Sequence, residues 1–126
     1  MNDIKDEEII NKYRNFENFR DYTINSFEDS GVDGDTPLHF AAFIGDVDAV
    51  RVMVPLVKSL DRGGGIGNTP LHYAVLGGNA EIVGFLLSSG ADLRIENDYG
   101  DTALDMVDRN KEEVMDAVAK YLASIP

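Results

Sequence analysis

Two histidines, His39 and His72, are the only imidazoles in this chain of 126 residues, and there is no cysteine. The missing cysteines exclude disulfides, Cys-ligated zinc, iron–sulfur clusters and thiol catalysis. Both histidines sit in one phrase, Thr36-Pro37-Leu38-His39-Phe40-Ala41 and Thr69-Pro70-Leu71-His72-Tyr73-Ala74. Identical placement in two copies is explained by architecture, and no third ligand accompanies either histidine, so metal binding and acid–base catalysis are not the reading. Asp29-Ser30-Gly31-Val32-Asp33-Gly34-Asp35 imitates a calcium loop. It fails where position 3 is Gly31 and position 12 is Phe40 instead of a bidentate glutamate. The run from Gly63 to Gly67 imitates a phosphate cradle, yet no Lys-Ser or Lys-Thr follows it. Neither cofactor nor metal is expected, and the chain does not read as an enzyme.

Lys plus Arg number 11 against 23 Asp plus Glu, a net charge of −12. Nucleic acid and anionic membranes are poor partners for such a chain, because both are bound through cationic side chains. The hydrophobic share of 44% is too high for a disordered chain. A single domain is expected, burying roughly two thirds of the surface of its unfolded chain. The opening residues, Met1 to Glu8, lack the basic and apolar regions of a secretion signal. No uncharged apolar stretch approaches the roughly 20 residues of a membrane span, and a cytoplasmic location is expected.

The elements that position these residues follow from a repeat of 33. Thr36 and Thr69 recur at Thr102, with Gly34, Gly67 and Gly100, Gly45 and Gly78, and Val50 and Val83 at the same spacing. Thr before Pro supplies a helix N-cap and a proline at the first helical position. Helices therefore start near Pro37 and Pro70 and are closed by Gly45 and Gly78. In the second unit Ile82, Val83, Leu86 and Leu87 predict a second helix from about Ala80 to Ser88, ended by Gly90. Ala91 to Asp101 form an extended excursion. Two short helices and a loop cannot cover their own apolar faces, so the units must stack.

Gly67-Asn68-Thr69-Pro70-Leu71-His72-Tyr73-Ala74, then Gly78-Asn79-Ala80-Glu81-Ile82-Val83, Leu86-Leu87 and Gly90-Ala91-Asp92, resembles the ankyrin-repeat family nearly position by position. The resemblance runs from residue 33 to about 124. It implies an all-α solenoid of about three helix-turn-helix repeats with projecting finger loops. The divisions expected are a helical cap at 1–32, repeats at 33–65 and 66–98, and a capping repeat at 99–126. It further implies structural roles for Thr36, Pro37, His39, Thr69, Pro70 and His72, each histidine bonding the threonine and nearby backbone.

Departures from the pattern carry their own expectations. Pro55 falls inside the second helix of the first unit and predicts an early end or kink. The glycine-rich finger from Arg62 to Gly67 is expected to be the most mobile loop. The third unit has Ala103 and Asp105 where the others have Pro and His. Its second helix, about Glu112 to Ser124, places Val114, Met115, Val118, Tyr121 and Leu122 on one face. Before the repeats, Ile9, Ile10, Tyr13, Phe16 and Phe19 are spaced for one helical face, interrupted by charges including Glu17 and Arg20. They predict a cap on the first repeat, either one helix or a degenerate pair; the alternative is a detached partner-binding helix.

The resemblance also implies a binding module, because the family chiefly recognises proteins through its fingers and inner helices. The variable positions fall on Phe43, Ile44, Leu76, Gly77, Arg109 and Asn110, and on Ile66, Asn68, Asp98, Tyr99 and Asp101 of the fingers, with Asp35 at their entrance. The partner-binding set is then Phe43, Ile44, Ile66, Leu76, Asp98, Tyr99, Asp101 and Asp35, an apolar strip among acids. Alternatively, Phe43 and Ile44 tuck against the N-terminal cap. A partner protein with a basic surface is expected, inhibited or tethered as an immunity-type or regulatory inhibitor would do, by a chain monomeric on its own. The alternative is a self-associating subunit that uses the same strip for homodimerisation. The negative charge is uneven, with net −6 over 1–35, 0 over 36–68, −4 over 69–101 and −2 over 102–126.

Overall fold

Thr36 and Thr69 take extended backbone, and the two inner helices begin on the prolines that follow, α2 over Pro37–Ile44 and α4 over Pro70–Leu76. The computed structural model describes residues 3–16, 19–20, 24–108 and 111–125. It holds six α-helices and no strand among them. Gly45 closes α2 at φ +82°, a conformation that a side chain would oppose. The outer helices are α3, Val47–Met53, and α5, Ala80–Ser88. Each is started by a side-chain cap: Asp46 accepts the Ala49 N–H at 3.3 Å and Asn79 accepts the Ile82 N–H at 2.9 Å. The α3 helix stops two residues before Pro55, which has no N–H to continue the ladder.

In the third unit the inner helix shrinks to a 3-10 turn at Leu104–Met106. Thr102 donates its N–H to Asp105 Oδ2 at 2.9 Å, and the Asp105 N–H returns to Thr102 Oγ1 at 3.2 Å, so the carboxylate stands in for histidine. A carboxylate has no N–H to pass on to a finger. The outer helix α6 spans Glu112–Ser124.

Inner helices pack side by side, α2 on α4 and α4 on the 3-10 turn, and outer helices do likewise, α3 on α5 and α5 on α6. Ala41, Ala42 and Ala74 are fully buried between them. The inner helices approach so closely that a Cβ on Gly77 would sit 2.3 Å from the Phe43 carbonyl oxygen. Leu38, Val50, Met53, Leu71, Ile82, Val83, Leu86 and Leu87 fill the core, extended by Val114 and Val118. Met115 and Leu122 depart from the expected core face. Both are exposed, on the side of α6 that α5 leaves uncovered.

Helix α1, Asp3–Arg14, covers the other end of the stack. Tyr13, Phe16 and Phe19 surround Phe40 of α2 at ring-centroid distances of 6.2, 4.9 and 5.9 Å, mostly edge-on, the arrangement ring quadrupoles favour. Tyr13 Oη and Lys12 Nζ both donate to Asp46 Oδ2, at 2.8 and 2.6 Å. Burial would raise the Asp46 carboxyl, but these two donors and the Ala49 N–H outweigh it and hold the group below its ordinary pKa. The helix is thus docked, contrary to the detached alternative. Among the described residues of this segment it is the one α-helix, and Glu17 lies outside them.

Candidate partner-binding surface

Two histidine clamps set the frame. Thr36 donates its N–H to His39 Nδ1 at 3.0 Å, and His39 Nε2 lies 2.7 Å from the Arg62 carbonyl oxygen. Thr69, His72 and the Asp101 carbonyl repeat this at 3.1 and 2.8 Å. An Nδ1 that accepts a backbone N–H leaves Nε2 as the nitrogen that donates, so both nitrogens of each ring are engaged. Burial pushes the His39 pKa below its ordinary value. Each clamp ties the start of an inner helix to a finger more than 20 residues later.

The first finger is tied to the preceding loop by hydrogen bonds. Asp35 Oδ1 accepts the Gly65 N–H at 2.7 Å, and the Tyr73 hydroxyl donates to both carboxylate oxygens at 3.0 and 3.1 Å. The glycines serve close approach: a Cβ on Gly64 would lie 2.2 Å from Asp35 Oδ1, and one on Gly67 2.4 Å from Asp98 Oδ1. The suspected phosphate cradle therefore already holds an anion, the chain's own carboxylate. Burial, then the adjacent Asp35 charge, raises the Tyr73 pKa. Asp35 is 8% exposed and is withdrawn from the partner-binding set. Asn68 is buried too, accepting from Asn97 Nδ2 at 2.9 Å.

The second finger is braced by Asn97, whose Oδ1 accepts the Tyr99 and Asp101 N–H groups at 2.9 and 3.0 Å. Sequence reasoning passed over both braces, Tyr73 and Asn97. An Asn three residues before Gly100 is a turn signal that could have marked the second. The Asp98 N–H donates to the Ile66 carbonyl at 2.9 Å and links the two fingers. Ile66 itself sits at φ +60°, the one described non-glycine residue with positive φ.

On this frame Phe43, Ile44, Leu76 and Ile66 are about half exposed, and Tyr99 is 76% exposed. Phe43 leans edge-on against Tyr73 at 6.1 Å and does not tuck under the cap, whose ring cluster takes Phe40 instead. Phe43 and Leu76 hold one slot of successive units, as do Ile66 and Tyr99, so stacking sets each pair side by side. Asp98 and Asp101 are exposed beside Tyr99. Arg109 and Asn110 lie outside the described residues.

Helix pairs stacked at a period of 33, clamped by Thr-Pro-Leu-His phrases to projecting fingers, define a solenoid interaction scaffold. A family model for ankyrin repeats in three copies matches residues 7–97 and again residues 55–124. The chain belongs to the ankyrin-repeat family, whose repeats are protein–protein interaction modules. The match begins within α1, at residue 7, which the repeat phrase does not reach. No curated protein matches the chain significantly. Among the described residues no helix is long and apolar enough to cross a membrane.

Proposed function

We propose that this chain binds a partner protein with a basic surface across Phe43, Ile44, Leu76, Ile66 and Tyr99, flanked by Asp98 and Asp101. The observation that carries the reading is the row of half-exposed apolar side chains on braced elements, with acids at its finger end. Apolar anchors on rigid supports lose little entropy on binding, and flanking charge speeds encounter with an oppositely charged surface. Binding by coverage then inhibits or tethers the partner in the cytoplasm, without catalysis by this chain. The engaged nitrogens of both histidines support that last point.

The test uses a pull-down followed by mass spectrometry, with wild type beside Phe43→Ala plus Leu76→Ala. One specific band that disappears in the variant and weakens with salt is expected. Purified, that protein is then titrated at low and high ionic strength; a salt-independent affinity, or equal binding of the variant, refutes the proposal.

A further inference from the structure

The strain at Ile66 has no compensation inside the molecule. Its φ of +60° and ψ of 22° put a β-branched residue in the left-handed region, which Gly, Asn or Asp ordinarily occupies. Gly67 follows at φ +72°, and the Asn68 N–H donates to the Gly65 carbonyl at 3.1 Å, so the pair makes a tight turn at the tip of the first finger. Such strain persists only where the surroundings over-determine it. Here Asp35 holds the Gly65 N–H, the Ile66 carbonyl accepts the Asp98 N–H at 2.9 Å, and the Gly67 N–H reaches the Gly64 carbonyl at 3.0 Å. Yet the side chain itself is 52% exposed, so packing within the fold does not offset the cost. Asp33 and Tyr99, which share the slot of Ile66 one repeat to either side, have no positive φ.

An exposed carboxylate stands on each side of this tip. A Cβ on Gly65 would lie 3.3 Å from the Asp33 Cβ, and one on Gly67 would run into Asp98 Oδ1. The loops that carry the fingers and their entrance, 29–35, 60–68 and 91–101, hold eight acids against two bases. Both bases are engaged: Arg62 donates to the Glu28 carbonyl at 2.7 Å and lies 3.8 Å from its carboxylate, and Arg94 pairs with Asp92 at 3.0 Å.

We propose that Ile66 is the anchor of the binding surface: its side chain enters an apolar pocket on a folded partner, and lysines or arginines at the rim of that pocket face Asp33 and Asp98. A single aliphatic group held out on a rigid turn fits a concave apolar site and loses little entropy on entering it. Carboxylates on both flanks lose water in the same step and need cations opposite them. The anchor rests on the reading of the strip as a protein-binding surface and adds Asp33 to it.

Two substitutions separate the anchor from the turn. Ile66→Gly removes strain and side chain together, whereas Ile66→Asn keeps a residue suited to the left-handed region and replaces only the apolar group. Ile66→Gly is expected to melt about 3–5 °C above wild type. Binding is read by calorimetric titration against the purified protein that the wild-type chain captures from its own cell extract. Both Ile66 variants bind it at least about tenfold more weakly than wild type. Asp33→Asn plus Asp98→Asn weakens binding and flattens its salt dependence, while Glu112→Gln plus Asp116→Asn, the same charge removed from exposed positions of α6, leaves affinity within about twofold. A lower Tm for Ile66→Gly overturns the proposal, as does an Ile66→Asn affinity within about twofold of wild type, or equal losses from the two charge-removed pairs. If the Ile66 variants bind like wild type while Phe43→Ala plus Leu76→Ala does not, the strip stands and the anchor falls. If no protein is captured, or no variant changes its binding, both readings fall.

Discussion

Replacing Asp35 by alanine separates a surface carboxylate from a buried brace. The carboxylate accepts the Gly65 N–H at 2.7 Å and the Tyr73 hydroxyl at 3.0 and 3.1 Å, with little exposure to water. Hydrogen bonds to a charged group contribute about 1.5–3 kcal/mol each. The Tyr73 hydroxyl keeps a second acceptor, the Gly65 carbonyl at 3.3 Å, so its loss is partial. The Gly65 N–H is left buried without a partner. A destabilisation of about 3 kcal/mol follows, or on the order of 10 °C in Tm for a domain of this size. Gly64→Ala supplies a second arm, since its Cβ would lie 2.2 Å from Asp35 Oδ1 in the wild type. Once Asp35 is alanine, most of that clash is gone, so the two substitutions are less than additive by at least about 1 kcal/mol. Thermal and urea unfolding followed by circular dichroism read both quantities. Strict additivity, or a Tm change below about 2 °C for Asp35→Ala, refutes the brace and returns Asp35 to the binding surface.

Three further outcomes are expected. His39 is held neutral, so the unfolded chain takes up its proton near pH 6.5 while the folded one does so only lower. Its contribution is therefore complete above about pH 6.5 and is lost as pH falls below that value. Melting at several pH values, read against His39→Gln with the same acidic surface, shows a steeper acid-side fall in the wild type. Phe40→Ala removes the ring at the centre of the cap cluster and costs about 3 kcal/mol. Amide exchange by mass spectrometry then accelerates in α1 ahead of α5. Ile66→Gly relieves a β-branched residue at φ +60° and raises stability by about 1 kcal/mol while weakening partner binding. A lower Tm for Ile66→Gly contradicts the strain.

Local signals carried the helices. Thr-Pro marks the starts at Pro37 and Pro70, and the apolar stripes delimit Ala80–Ser88 and Glu112–Ser124, because caps and periodicity act within a few residues. Pro55 likewise announced the short α3. What stayed hidden lies one repeat away in the chain. Asp35 reaches Gly65 across 30 positions, so a glycine run that reads locally as slack is packed against a carboxylate supplied by the preceding loop. Phe40 and Phe43 are three residues apart and equally apolar, yet the first is half-buried among the cap rings and the second is exposed, a distinction made by where α1 docks. The exposure of Met115 and Leu122 depends in the same way on what does or does not lie beside α6.

The clamp that is missing from the third unit gives the stack a direction of weakness. His39 and His72 each fasten a helix start to a distant finger, whereas Asp105 closes only on its neighbour Thr102. In a one-dimensional stack each unit leans on its nearest neighbours, and the least fastened terminal unit opens first. The expected order of opening is the last unit before the repeats whose histidines hold a finger, which amide exchange along the chain reads directly. Anything seated on the uncovered side of α6 acts as a stop against that opening. Stability then rises with the concentration of whatever binds there, and the last unit governs how long the finger-bearing part stays folded.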